Sequence, residues 1–287
     1  MLKHLQIVVS LAVIIFIILC CNSCILEERE VCPTYLTIDM SMIDRNVEQG
    51  HIWFFDSYGN LLYKDTVSRG MFNKPYVVKI PRDDYAKCYM WANMGKNTLL
   101  DEEYSLNTSL TVLDNEPADS IYFYSCDLNT NNEFSNLTLL ANKEFATVNL
   151  TLTSYCDTTA YDTSIIIECR SRGFLVDKSY VETPTKVKAQ LCETGVDYSL
   201  FTTRILRQTD IKDIKLYVTI SPKNDSKFSE EDNIFAKIPI GQYLMESGYD
   251  MFEENLSDIS MELDIVGCFL SIKGEDWKEE RKFYVKF

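Results

Sequence analysis

Apolar and polar residues alternate along most of this chain with a period of two, in short runs separated by turn residues. In the first half the runs are 34–42, 51–55, 61–67, 76–80, 88–94 and 121–128; in the second half they are 144–153, 164–170, 187–192, 214–221, 259–266, 269–273 and 283–287. They are rich in β-branched and aromatic residues, with turn chemistry such as Ser57-Tyr58-Gly59-Asn60 between them, so they read as strands. Segments 83–86 and 242–246 allow a turn or two of helix, and no long segment keeps a 3.6-residue apolar period. Many short strands at such spacing predict an all-β protein made of sandwiches, not a parallel sheet with crossover helices.

Residues 1–33 break the alternation. Lys3 precedes an apolar run from Ile7 to Cys21, interrupted by Ser10 and followed by Asn22, Ser23, Cys24 and an acidic stretch with Glu27, Glu28 and Glu30. A basic tip, an apolar stretch and a small residue before a cysteine are the parts of an export signal cleaved for lipid attachment. A membrane-spanning helix needs ~20 apolar residues, and this run is shorter. Leu19 precedes Cys20 and Cys20 precedes Cys21, whereas Cys24 follows the small Ser23. The mature chain is therefore expected to start at a lipidated Cys24, with ordinary secretion as the alternative. Each buried methylene contributes ~0.8 kcal/mol, so two or three acyl chains hold a protein on a membrane where one is marginal.

The expected division is a signal at 1–23, a lipidated segment at 24–33, an N-terminal sandwich at 34–133 and a C-terminal sandwich at 134–287. The boundary is placed in the Asn-rich stretch 127–135, whose other reading is a long hairpin loop inside one domain. The polar segment 222–233 reads as an exposed loop. A hydrophobic content of 46% over 287 residues is ample for buried cores.

Net charge is −15, and removal of residues 1–23 takes away Lys3 and no acid. Such a balance argues against a nucleic-acid partner, which needs clustered Lys and Arg. Beyond the signal there is one histidine, His51, opening the strand that continues Ile52-Trp53-Phe54-Phe55. A triad would have that single candidate base, and no zinc, phosphate-loop or nucleophile-elbow motif occurs. His51 reads as an ordinary edge or turn residue, and no cofactor or metal is expected. Carboxylates fall in turns, as at Asp83-Asp84, Asp101-Glu102-Glu103 and Glu253-Glu254, and read as solvated. Seven cysteines follow Cys24, an odd number, so at least one is free or pairs between molecules. Cys88, Cys169 and Cys268 sit beside apolar neighbours and read as buried small hydrophobes.

The string from Ser23-Cys24 through Glu27-Glu28-Arg29-Glu30 to Cys32-Pro33, followed by an alternating strand, resembles the start of the FimB-like fimbrial anchor lipoproteins of Bacteroides-type bacteria. The aromatic hairpin 51–67, the segment Cys88-Tyr89-Met90-Trp91-Ala92-Asn93 and Asp276-Trp277 are similar to recurrent features of that family. The resemblance covers essentially the whole mature chain, with Cys21 and Asn22 departing from the usual residues before the lipidated cysteine. It implies two tandem transthyretin-like β-sandwiches tethered by lipid to the outer membrane, at the base of a type V pilus whose fibre the protein anchors and limits in length.

Partner subunits of such fibres associate by adding an extended segment to an open sheet edge. The closing strand 282–287 alternates Phe283, Val285 and Phe287 with Lys282, Tyr284 and Lys286, and is a candidate for such an extended segment in contact with a fimbrial structural subunit. The plainer reading is that it completes the second sandwich. A glycan-binding surface lipoprotein of a polysaccharide uptake system is the rival function, using exposed aromatic faces. Trp53 and Trp91 read as core and Trp277 as exposed. The triplets beginning at Asp65, Asp119 and Asp157 resemble a short O-glycosylation acceptor pattern.

Overall fold

The computed structural model describes residues 33–82, 85–101, 105–155, 157, 159–223, 233–274 and 281–285. The expected signal, Cys24, Cys32, Asp83-Asp84, Cys156, Trp277, Phe287 and most of the 222–233 loop lie outside the described residues.

The protein is all-β. The first strands are β1 (Thr34–Asp39), β2 (Gln49–Asp56), β3 (Leu61–Ser68), β4 (Tyr76–Ile80), β5 (Ala86–Ala92), β6 (Thr98–Leu100) and β7 (Ser109–Val112). They are followed by β8 (Tyr122–Leu128), β9 (Phe134–Thr138), β10 (Asn142–Lys143), β11 (Phe145–Leu152), β12 (Tyr161–Cys169), β13 (Gly173–Leu175), β14 (Tyr180–Val181) and β15 (Thr185–Lys188). The remainder are β16 (Gln190–Thr194), β17 (Ser199–Leu206), β18 (Lys215–Pro222), β19 (Ile234–Ile238), helix α1 (Ile240–Glu246), β20 (Ile259–Asp264), β21 (Phe269–Gly274) and β22 (Arg281–Tyr284).

In the first core the central sheet has the order β10-β8-β5-β2-β3. Ile52, Trp53, Phe54 and Phe55 of β2 are all buried, although successive side chains point to opposite faces, so both faces are covered. Sheet β4-β1-β9 meets one face, where the Tyr63 and Tyr76 hydroxyls lie 2.9 Å apart. Sheet β14-β13-β7-β6 meets the other: Trp91 Nε1 donates to the Val176 carbonyl at 2.9 Å and its ring stacks on Phe174 at 5.0 Å. The two tryptophans read as core are buried here. Gly173 lets β13 cross β7 closely, because a Cβ there would lie 1.8 Å from the Leu110 carbonyl oxygen.

The second core is a sandwich of sheet β16-β17-β11-β20-β21-β22 on sheet β15-β12-β18-β19. Alternate residues such as Val148, Leu150, Ile165, Ile167, Leu216, Val218, Met261 and Leu263 fill it. In each core the opening strand has one antiparallel and one parallel neighbour: β1 lies between β4 and β9, and β11 between β17 and β20. Strand β9, just after residue 133, extends the sheet of β1, and β13 and β14 also build onto the first core.

The run 187–192 divides between β15 and β16, which belong to different sheets. Cys88 and Cys169 are buried as expected. Cys268 is not: it is exposed in the tight turn between β20 and β21, with φ +55°. Its apolar neighbours Phe269 and Leu270 begin the next strand, while the thiol itself sits at the reversal.

Phe145 and Leu206 pack in the first core, and their neighbours Ala146 and Ile205 in the second, so the paired strands β11 and β17 pass from one core into the other. At that crossing Glu144 is fully buried and lies 2.6 Å from Arg207 Nε and 2.5 Å from Lys178 Nζ. Arg207 also donates to the carbonyls of Met251, Lys143 and Glu254. Removing one partner of a buried ion pair leaves an uncompensated charge, so Arg207→Ala is predicted to destabilise the fold by about 3–5 kcal/mol. Urea unfolding measures this; a loss below about 1 kcal/mol, the level of a surface pair, would contradict the arrangement.

Candidate functional site

Four places at sheet edges and between layers can be built from the residues.

The chain enters the fold at Thr34. Its hydroxyl donates to the Thr130 carbonyl at 2.6 Å and also lies 2.9 Å from that of Asn132, and the Tyr35 amide donates to Glu133 at 2.7 Å. Any pull on the preceding residues is therefore received by a buried, hydrogen-bonded strand end.

The closing strand lies at the far edge of the second core. Strand β22 pairs with β21, Leu270 opposite Phe283, and Phe283 packs against Tyr243 of α1 at 4.7 Å. Val285 is buried and its amide donates to the Cys268 carbonyl at 3.0 Å. Phe283 and Val285 thus complete their own sheet, while Tyr284 points outward, 90% exposed. Opposite, the edge strand β16 is exposed throughout and bulged between Leu191 and Glu193, a feature that blunts an edge against pairing. The β21–β22 pairing runs in unbroken register from Phe269 opposite Tyr284 to Ile272 opposite Arg281.

Between the two cores lies a cleft of about 630 Å³, walled by residues including Asp44, Asn93, Tyr122, Lys143, Arg204 and Asp258. Its charges are engaged internally: Lys143 pairs with Asp258 at 2.6 Å, Asp258 accepts the Thr147 amide at 2.6 Å, and Arg204 Nε donates to the Ala118 carbonyl at 2.7 Å.

His51 lines a smaller hollow of about 350 Å³ with Lys64, Leu100 and Asp101. Its ring stacks on Trp53 at 5.9 Å and Nδ1 lies 3.1 Å from the Thr66 hydroxyl. The nearby Asp65 is turned to the other face, accepting the Tyr76 and Tyr63 hydroxyls and the Thr66 amide. The Tyr76 bond first, then the others, hold its carboxyl below the ordinary range despite partial burial. Among the described residues no group of three or more His, Cys, Asp or Glu could hold a metal. No described helix is long and apolar enough to cross a membrane.

Sequence reasoning singled out the closing strand but not the cleft or the charge cluster beside it, whose members are far apart in the chain. Each of the three acceptor-like triplets has structural employment: Thr66 contacts His51, Asp119 accepts the amides of Gly95, Asn97 and Thr98, and Asp157 accepts the amide and hydroxyl of Thr159. The third includes Thr158, outside the described residues.

No family model matches the sequence, and no curated protein matches it. Solved structures do. The fimbrial anchor protein Mfa2 from Porphyromonas gingivalis superposes with a TM-score of 0.62 at 10% identity, covering 86% of this chain and 98% of its own. A candidate adhesin from Bacteroides thetaiotaomicron gives 0.61 at 13% identity, covering 89% and 99%. A candidate polysaccharide-binding protein from the same species gives 0.60 at 13% identity, covering 89% and 98%. The chain shares their fold over nearly their full length, and these neighbours are fimbrial, adhesive or binding proteins.

Burial pushes the His51 imidazole below its ordinary 6.5. The unfolded chain then takes up this proton first, so stability is predicted to fall as pH drops below about 6.5 and to stop falling, for this group, below the depressed folded value. Urea midpoints between about pH 7.5 and 5 should show a shallower slope for His51→Gln than for the parent; an unchanged slope would exclude His51 as its source.

Proposed function

We propose that the chain is an outer-membrane lipoprotein, exposed at the cell surface, that anchors a type V fimbria and limits its length or assembly. The observation that carries this reading is a fold shared with a fimbrial anchor over 98% of that protein's chain. The signal ending at Cys24 supports it independently. In this reading residues 1–23 are removed, acyl chains on Cys24 hold the protein, and Thr34 is where the tether meets the folded body. Residues 34–133 and 134–287 are proposed as two tandem domains, with exchange of strands across that line. A fimbrial structural subunit would add a strand at the open side of β22, the strand that carries Phe283 and leads to Val285 and Phe287. We assign no catalytic role, cofactor or nucleic-acid partner, because His51 meets a threonine instead of a carboxylate and the chain is strongly acidic.

The alternative reading, a glycan-binding surface lipoprotein, is favoured by one observation: the candidate polysaccharide-binding protein has an almost equal TM-score of 0.60.

Cys24→Ala is expected to move the protein and any attached fibre from the membrane fraction to the medium; retention in the membrane would contradict attachment at Cys24. Deleting residues 281–287 should detach fibres while leaving the lipoprotein on the cell. Circular dichroism checks that the truncated protein is folded: fibres that stay attached to a folded, truncated protein would contradict contact at β22. If truncation unfolds it, Tyr284→Lys, which leaves the inward Phe283 and Val285 in place, is the variant expected to weaken fibre attachment, unchanged attachment contradicting the contact.

A further inference from the structure

We propose that the outer face of sheet β4-β1-β9 rests on the lipid surface to which the chain is tethered. The inference rests on the reading of Cys24 as the lipidated residue. On this face Tyr35 stacks on Phe134 with centroids 5.7 Å apart, and Val77 lies in the next row, opposite Thr37. Phe134 is 71% and Val77 56% exposed, in strands whose alternate residues, Leu36, Ile38, Val78, Ile80 and Leu137, are buried. The inward residues already satisfy the core, so the outward apolar group has no partner within the described fold.

The position of the tether selects the occupant. Cys24 precedes Thr34 by ten residues, which even fully extended reach about 35 Å. Thr34 is buried and hydrogen-bonded, and the next residue is Tyr35. The aromatic pair therefore stands at the root of the tether, and the bilayer is held within its reach whatever else the protein meets. Contact with an already attached surface is intramolecular, so a weak apolar patch suffices to populate it. Aromatic side chains favour the water–lipid interface. Charge agrees: Lys79 stands opposite Tyr35 and Asp39 lies further along β1, giving a near-neutral face on a chain of net charge −15. An acidic face would be repelled by anionic headgroups. The docked state would fix how the body, and a fibre leaving β22, is oriented over the membrane.

The test places a reporter on the face of the full-length acylated protein in phosphatidylethanolamine–phosphatidylglycerol vesicles with brominated acyl chains. Phe134→Trp reports the proposed contact, and Phe235→Trp, 61% exposed on β19 of the other core, is the control with the same native tryptophan background. The added fluorescence at position 134 is expected to fall about twofold on vesicles and that at 235 to stay nearly unchanged, as for an aromatic at the interface against one in water. Co-flotation with unquenched fluorescence at 134 overturns the contact while leaving the anchor intact. A blue-shifted but unquenched signal at 134 also overturns it, in favour of cover by the chain's own residues 25–31. If the acylated protein floats no better than its Cys24→Ala variant, the anchor reading fails and the contact with it.

Discussion

A buried carboxylate with two cationic partners holds the two cores in register. Glu144 has no exposed surface, and each of its oxygens meets a different cation, Arg207 at the end of β17 and Lys178 on the segment after β13. Burying a lone carboxylate in a protein interior costs several kcal/mol, so these three residues specify one another. Arg207 then uses its remaining donors on the carbonyls of Met251, Lys143 and Glu254, and Lys178 lies over the Phe123 ring at 5.2 Å. The cluster thus gathers the start of β11, the end of β17, the loop after α1 and the flap that covers Trp91.

That junction gives the functional reading a mechanical route. The proposed tether would enter at β1, whose end is fixed by Thr34, and the proposed subunit edge is β22 in the other core. Between them the continuous path is the β11–β17 pair, eight residues in register from Phe145 opposite Leu206 to Leu152 opposite Ser199. Apolar packing holds each core, and this ladder, the charges at its start and the bonds of the 114–118 segment to Lys186 and Arg204 join them. A protein joining a membrane to a fibre needs the two ends to move as one body.

Alternation made the strands legible where one face is buried and the other wet. Residues 76–80 are predicted and found as β4 without a shift at either end. Strand β17 escaped because its inward positions include Ser199 and Thr203 as well as Phe201 and Ile205, which blurs the apolar period. Strand β9 escaped for a related reason: Phe134 points outward and only Leu137 inward, so the segment looks like loop. The boundary stretch near residue 133 looked like a linker on the same composition, yet the strand beginning there returns to β1. Glu144, Lys178 and Arg207 are 34 and 63 residues apart, and nothing local marks them as a unit. The closing strand was legible as a strand, and its two possible uses were not separable from its pattern.

The proposed function drew on three things in the sequence: a single histidine beyond residue 23, a net charge of −15, and an apolar run followed by Cys24. The chain shares its fold with proteins that include both a fimbrial anchor and a candidate polysaccharide-binding protein. The decisive comparison is between their two kinds of ligand. Full-length acylated protein, extracted from its own membranes in mild detergent, should be examined for co-purifying proteins by mass spectrometry and, in parallel, on a glycan array. Retention of a fimbrial subunit without glycan binding is the predicted result; saturable glycan binding with no retained subunit would contradict the account.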